Sequence, residues 1–143
     1  MVSVKDSSFY TEVLKELNYP FATAFIFKGF VVVEINEGIE YTWDNHGKLM
    51  AQDVAYFLGT DGGNLIYISN RMHSYSVVPQ DWLKFFRSDY RLKEYYVVSP
   101  NRKGTFNLII ESLFFKNKIK SFPSLSEAVV SAKNSTLKEE VNN

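Results

Sequence analysis

The side chains best suited to chemistry in this 143-residue chain are concentrated in one short loop, residues 69–76. The loop follows an apolar run, Leu65–Ile68, and precedes Pro79, a residue type favoured in the first turn of a helix. Open α/β sheets bind ligands at such junctions, where free backbone N–H groups and the helix dipole attract anions. We predict a binding site whose residues here are Ser69, Asn70, Arg71, His73, Ser74, Tyr75 and Ser76.

A second polar loop follows the next predicted strand, Tyr95–Val98, and contains Arg102 and Lys103. Because the carboxyl ends of parallel neighbouring strands meet at one sheet edge, we expect both loops to lie side by side. Three cations would then face two helix N-termini. This arrangement predicts a site for a small anion or for an acidic loop of a protein partner, with Arg102 and Lys103 among the binding residues.

Each of these side chains also has a simpler possible role. Ser74 and Ser76 can cap the following helix by accepting backbone hydrogen bonds. Arg71 can brace a nearby carboxylate or carbonyl, and His73 can be an ordinary surface residue. His73 and Ser74 are adjacent, so on an extended chain their side chains point apart, and no Gly-x-Ser-x-Gly elbow is present. We therefore predict no catalytic residues.

The sequence does not favour a metal or a cofactor. There is no cysteine, and the helix position four residues after His46 is Met50, which is not a carboxylate or a second histidine. The glycine cluster 59–63 follows a predicted helix and lacks the Gly-Lys-Ser/Thr sequence of a phosphate-binding loop. We predict no metal site and no cofactor.

Composition limits the classes of partner. Sixteen basic and sixteen acidic residues balance, so no overall field attracts nucleic acid or an anionic membrane. The first residues do not form a secretory signal, and no apolar run is long enough to span a bilayer. With no cysteine, these features favour a cytoplasmic protein without membrane insertion. Aromatic residues make up 16% of the chain, which indicates either an aromatic core or an aromatic pocket.

Hydrophobic periodicity gives the elements that position these loops. Gly29 ends a tight turn between two β-rich runs, and Thr42 is a candidate N-cap for a helix that ends at the glycine cluster. Glu34 alternates with valines, so we expect it to face solvent. The predicted helices are 7–17, 42–58, 79–86, 101–115 and one begun by a Ser124/Glu127 capping box; the predicted strands are 21–27, 30–35, 65–68, 95–98 and an edge strand 118–122.

This order predicts a single α/β domain. Its sheet has four to five mostly parallel strands with an antiparallel hairpin, and helices pack on the sheet. We divide the chain into an N-terminal extension or short helix at 1–20, the domain at 21–133 and a disordered tail at 134–143.

Two segments resemble a known family. Residues 67–79, Tyr-Ile-Ser-Asn-Arg-Met-His-Ser-Tyr-Ser-Val-Val-Pro, and residues 114–128, Phe-Phe-Lys-Asn-Lys-Ile-Lys-Ser-Phe-Pro-Ser-Leu-Ser-Glu-Ala, resemble the SpoIIAA-like, or STAS-type, domains. The likeness is to a short, bacteroidete-like bacterial branch and covers roughly residues 21–132. It implies a cytoplasmic regulatory domain of the kind typified by anti-sigma-factor antagonists.

In those antagonists a serine at the start of the helix after the third strand is phosphorylated by a partner kinase. The resemblance puts Ser76 at this acceptor position. Tyr75 stands where the family usually has an aspartate, and Val77, Val78 and Pro79 replace the small residues that usually follow.

The leading functional hypothesis is a non-catalytic regulatory or interaction module that binds a protein partner or a small anion through residues 69–78. An alternative is a carrier of a small molecule or lipid, which would use the aromatic residues to line a cavity. A less favoured alternative is an enzyme that depends on Ser74 or His73. Homodimerisation is also possible, whereas nucleic-acid binding is not expected.

Overall fold

The structure is a computed structural model and describes residues 1–99 and 119–142. Its main sheet has six strands in the described residues: β1 (Lys15–Asn18), β2 (Ala22–Phe27), β3 (Phe30–Ile35), β5 (Ile66–Asn70), β7 (Glu94–Val98) and β8 (Ile119–Phe122). They lie side by side in that order. A separate pair is formed by β4 (Glu40–Tyr41) and β6 (Ser76–Val77).

Strand directions agree with the predicted α/β class. The pairs β1/β2 and β2/β3 are antiparallel, while β3/β5, β5/β7 and β7/β8 are parallel. The hairpin at Lys28–Gly29 is confirmed, and Gly29 has the left-handed φ of 86° that such a tight turn requires. β8 lies at one end of the sheet, as predicted for an edge strand.

Helices cover both faces of this sheet. On one face lie α1 (Lys48–Leu58) and α2 (Asp81–Arg87); on the other lies α3 (Leu125–Asn142). Thr42 caps the turn before α1, because its Oγ1 accepts from the Asn45 N–H at 3.2 Å. Ser124 begins α3, since its Oγ accepts from the Glu127 N–H at 3.2 Å and donates to the Glu127 carboxylate at 2.9 Å. The predicted helix 101–115 lies outside the described residues.

The helix predicted over 7–17 is wrong. This region contains short 3₁₀ turns at Val4–Asp6 and Ser8–Glu12, followed by β1, which is the additional strand of the sheet. The physical reason is that the apolar side chains do not share one stripe. Phe9 and Val13 pack on the α3 side of the sheet, whereas Leu17 packs on the opposite side.

The tail predicted as disordered from residue 134 is instead the second half of α3. Side-chain contacts hold this half against the sheet. Lys93 Nζ bonds Ser135 Oγ at 2.6 Å and lies 3.0 Å from the Glu139 carboxylate. Lys28 pairs with Glu140 at 2.6 Å across the β2–β3 hairpin. The segment lacks apolar periodicity because polar contacts, not a buried stripe, fix its position.

Candidate functional site

The alternation of β5 divides the predicted site between two faces of the sheet. Ser69 and Asn70 are consecutive and both buried, but Asn70 lies on the α3 side with Ile66 and Ile68. Ser69 lies on the opposite side and, with Arg71, lines a cavity under α1 and α2. Two separate polar arrangements therefore occupy the end of one strand.

The cavity occupies about 120 Å³ and runs along β5 between the sheet and the two helices above it. Its β3 and α1 side is aliphatic, with Val31, Val33, Met50 and Val54 among the lining residues. Its α2 and β7 side is aromatic. The rings on this side and at the mouth belong to Tyr41, Trp43, Tyr67, Tyr75, Trp82, Phe85, Tyr90 and Tyr95.

The aromatic rings contact one another in pairs. Trp82 lies 4.8 Å from Tyr95 and 5.6 Å from Phe85, measured between ring centroids. Trp43 meets Phe85 edge-on at 5.8 Å. Such edge-on and tilted pairs hold ring faces in fixed positions beside the cavity. The aromatic residues of the sequence therefore line this cavity as well as fill the core.

Polar groups are gathered at the carboxyl end of β5. The Arg71 guanidinium donates to Tyr95 Oη at 2.7 Å and to Ser69 Oγ at 3.3 Å. Ser69 Oγ and Tyr75 Oη lie 3.0 Å apart in a further hydrogen bond, and Arg71 Cζ lies 5.9 Å from the Tyr75 ring centre. We call these four residues, Ser69, Arg71, Tyr75 and Tyr95, the polar end of the cavity.

Two tyrosine hydroxyls that line the cavity, those of Tyr41 and Tyr67, have a raised pKa and hold their protons more tightly than an ordinary phenol. Burial is the largest cause that raises the pKa of Tyr41 and the pKa of Tyr67 above their usual range. Tyr41 raises the pKa of Tyr67 further, whereas the hydrogen bond with Tyr67 lowers the pKa of Tyr41 in part. Neutral phenols both donate and accept hydrogen bonds. The cavity lining thus combines uncharged hydroxyl groups with the guanidinium groups of Arg71 and Arg91 and the carboxyl groups of Asp61 and Asp81.

The mouth of the cavity includes a π-helical turn, Trp43–Gly47, immediately before α1. The Trp43 N–H donates to the Asp81 carboxylate at 2.7 Å, and Lys84 bonds Asp44 at 2.8 Å. These contacts join the turn to α2. Single π turns inside helices occur frequently at functional sites. Residues 43–47 resemble an ordinary helix start, so local patterns did not predict a π turn there.

The other predicted residues lie outside the cavity. His73, Ser74 and Ser76 are exposed. Ser76 is in β6, opposite Glu40 of β4, and five residues before α2 begins. It is therefore not at a helix N-terminus, and α2 takes no cap from Ser74 or Ser76, because its N-cap residue is Gln80. Arg102 and Lys103 lie outside the described residues.

Sequence reasoning missed Glu34, which it assigned to solvent. Glu34 is only 9% exposed and lies on the α3 side of β3. Its Oε1 accepts from the Ser3 hydroxyl at 2.6 Å, and its Oε2 accepts from the Val4 N–H and from Asn70 Nδ2, both at 2.9 Å. The N-terminal segment covers this carboxylate. The solvent-facing prediction is wrong because both faces of β3 are covered, and nothing local to that strand reveals the segment that covers Glu34.

The described residues contain no group of three acidic or histidine side chains that could hold a metal ion. They also contain no hydrogen bond between a histidine and a serine; His46 Nδ1 instead accepts from the Thr42 N–H at 3.0 Å. This part of the chain contains a cavity with the hydrogen-bonded side chains of Ser69, Arg71, Tyr75 and Tyr95 at the carboxyl end of β5.

Comparison of the chain with protein-family models, with characterised proteins and with solved structures finds no significant match. The STAS-type resemblance therefore stays a prediction. Within the two described stretches, no helix is both long enough and apolar enough to cross a membrane.

Proposed function

We propose that this domain binds a small, largely apolar ligand in the cavity beneath α1 and α2, with a hydrogen-bonding group of the ligand directed at the polar end. The cavity itself is the observation that carries this proposal. Protein interiors pack tightly and contain few voids larger than one water molecule. A cavity of this size therefore calls for an explanation.

The free-energy cost of an empty cavity follows from its volume. At roughly 24 cal/mol per Å³, a fully enclosed void of 120 Å³ costs about 3 kcal/mol, and this is the upper limit for the present cavity because it opens to solvent at its mouth. That is a large part of the roughly 5–15 kcal/mol by which a domain is stable. Filling the void with larger side chains would remove this cost, so its persistence supports a role in binding.

The lining supports a ligand of small size and mixed polarity. An engineered apolar cavity of roughly 150 Å³ binds benzene, which gives the size scale for this one. The walls at Val33, Val54 and Trp82 offer an apolar surface, while Ser69 and Tyr75 offer hydroxyls at the carboxyl end of β5. Pockets of this composition bind the apolar body of a ligand and use a few polar groups to orient it.

The test is a pair of probes that differ by one hydroxyl, benzene and phenol, titrated into the protein and followed by two-dimensional NMR. We expect saturable shifts at residues that line the cavity and tighter binding of phenol than of benzene. Ser69→Ala should reduce the preference for phenol. Shifts spread over the surface, or an equal response to both probes in the native protein, would contradict the proposal.

Matched variants separate cavity binding from surface binding. Ala51→Phe places a ring in the cavity from α1 and should abolish probe binding. Val130→Phe adds the same ring on α3, where Val130 is exposed, and should leave binding unchanged. Retained binding in Ala51→Phe would locate the probe elsewhere and would count against the cavity.

Partner binding through residues 69–78 is a second candidate, favoured by one observation. His73 and Ser74 are exposed on the same loop whose Arg71 and Tyr75 line the cavity. A partner that binds His73 and Ser74 would therefore respond to changes in the conformation of this loop. Affinity capture from the native host with the native protein and with Ser76→Asp tests this candidate, and identical captured proteins would argue against a phosphorylation-dependent contact at Ser76.

A further inference from the structure

The second polar arrangement, at Glu34 and Asn70, lies on the sheet face opposite the cavity. β3 is otherwise apolar, with the sequence Phe-Val-Val-Val-Glu-Ile, and all six residues are buried. A carboxylate and an amide buried among such residues are costly unless they are hydrogen-bonded. Both are bonded here to the same short stretch of chain, residues 2–4.

The contacts to this stretch are those of a bound peptide. The Val2 carbonyl accepts from Asn70 Nδ2 at 3.0 Å, and the Val4 N–H donates to Glu34 Oε2. The Ser3 hydroxyl donates to Glu34 Oε1, while the Val4 side chain is fully buried in the core beside α3. Peptide recognition commonly combines main-chain hydrogen bonds with a pocket for one side chain.

We infer that the groove formed by Glu34, Asn70 and the α3 side of the sheet is a peptide-binding site, which residues 2–4 occupy as an intramolecular ligand. The partner that it fits is a peptide segment of another protein with a Ser/Thr-Val pair whose first residue is extended and whose second begins a 3₁₀ turn, as Ser3 and Val4 do. Serine or threonine supplies the hydroxyl for Glu34, and valine fills the apolar pocket. The bound segment would be displaced when such a peptide binds.

One unsatisfied atom indicates that the chain's own segment does not complete the site. Asn70 is 1% exposed, and none of the described residues donates a hydrogen bond to its Oδ1 atom. Buried polar atoms are nearly always paired. A peptide that brings one additional N–H group to this oxygen would bind better than residues 2–4 do, which gives displacement a chemical cause.

The rest of the N-terminal region can stay in place when residues 2–4 leave. Glu12 pairs with Lys133 of α3 at 2.7 Å, and Lys133 also lies 5.1 Å from the centre of the Phe9 ring. Met1 and Val2 are about half exposed. Release therefore needs no break in the contacts that join residues 9–12 to the helix.

The test uses the full chain and a fluorescein-labelled synthetic peptide of residues 1–8, Met-Val-Ser-Val-Lys-Asp-Ser-Ser, followed by fluorescence anisotropy. In the Val4→Ala protein the internal segment is weakened, so we expect the peptide to bind at least tenfold more tightly than to the native protein. Adding Glu34→Gln should remove that binding, and a peptide with Val4→Asp should not bind. Equal binding to native and Val4→Ala proteins would overturn the inference.

A measurement on the native protein covers the case in which Val4→Ala fails to fold. Amide hydrogen exchange reports local opening. If residues 2–4 are releasable, the Val4 N–H should exchange at least tenfold faster than the N–H of Val32, which is buried in β3. Exchange of both amides at one rate would mean that the segment leaves only on global unfolding, and would refute a displaceable ligand.

Discussion

Removing the Glu34 carboxylate gives the sharpest stability test of the structure. Glu34→Ala deletes an acceptor used by three donors: the Ser3 hydroxyl, the Val4 N–H and the Asn70 side-chain amide. The Ser3 contact is half-buried and can be replaced by water. The other two donors are buried, so each is left without its acceptor.

The magnitude follows from these three contacts. A buried donor left unsatisfied costs roughly 1–3 kcal/mol. With two such donors, and a smaller loss at Ser3, we expect Glu34→Ala to lower the free energy of unfolding by about 4 kcal/mol. A surface glutamate, which the sequence predicted here, would give a change within roughly 0.5 kcal/mol.

Two further variants test the same reasoning in graded steps. Glu34→Gln keeps the shape and one carbonyl oxygen but loses the charge that strengthens the bonds, so we expect a loss of about 2 kcal/mol. Ser3→Ala removes one half-buried bond and leaves the other two, so we expect about 1 kcal/mol. Glu34→Ala should lower the free energy of unfolding most, Glu34→Gln less, and Ser3→Ala least.

The assay is urea unfolding, followed by circular dichroism and by tryptophan fluorescence. The slope against urea should be unchanged, so that a shift in midpoint reports stability alone. The reasoning is refuted if Glu34→Ala unfolds within about 0.5 kcal/mol of the native protein. It is also refuted if Ser3→Ala costs as much as Glu34→Ala, because the buried donors would then contribute nothing.

Two other predictions follow from backbone geometry and tyrosine burial. Gly29→Ala should lower the melting temperature, because Gly29 has a left-handed φ and an added Cβ would collide with the Thr136 side chain. The double variant Gly29→Ala, Thr136→Ala removes the collision but not the unfavourable φ, so it should recover only part of the loss. Full recovery would contradict the role of φ. Burial raises the pKa of Tyr41 and Tyr67, so the folded state holds these phenolic protons more tightly than the unfolded state. The free energy of unfolding should therefore fall as pH rises above the ordinary tyrosine pKa of roughly 10. Urea unfolding measured from pH 8 to 11 should show a smaller fall for Tyr67→Phe than for the native protein. An equal fall in both proteins would show that Tyr67 does not contribute.

Local patterns were sufficient for much of the sheet and for the starts of two helices. The Lys28–Gly29 turn, the Thr42 cap and the Ser124/Glu127 pair depend on residues within a few positions of each other, so their physics is contained in short stretches of sequence. The same holds for β5 and β7, which are short apolar runs bounded by polar residues. Their parallel pairing was also predicted correctly.

The candidate site was predicted only in part. Ser69, Arg71 and Tyr75 do lie together, in the wall of the cavity. Asn70 was grouped with them by sequence and is separated from them by the sheet. Neighbouring side chains on a strand point to opposite faces of the sheet. A run of polar residues that extends into the end of a strand is therefore divided between the two faces.

By itself, the sequence determined the α/β class, the hairpin, the central parallel strands and the apolar face of α3, because each rests on periodicity or on turn and cap chemistry between near neighbours. Only the tertiary structure decided three further features. It converted residues 15–18 into a sheet strand, extended α3 to Asn142 through contacts with Lys28 and Lys93, and buried Glu34 beneath residues 2–4. The contacts that extend α3 and bury Glu34 join residues distant in sequence, and such a contact leaves no mark on the local pattern of either one. β1 instead pairs with β2 across the short turn 19–21, and the helical spacing of Phe9, Val13 and Leu17 concealed it.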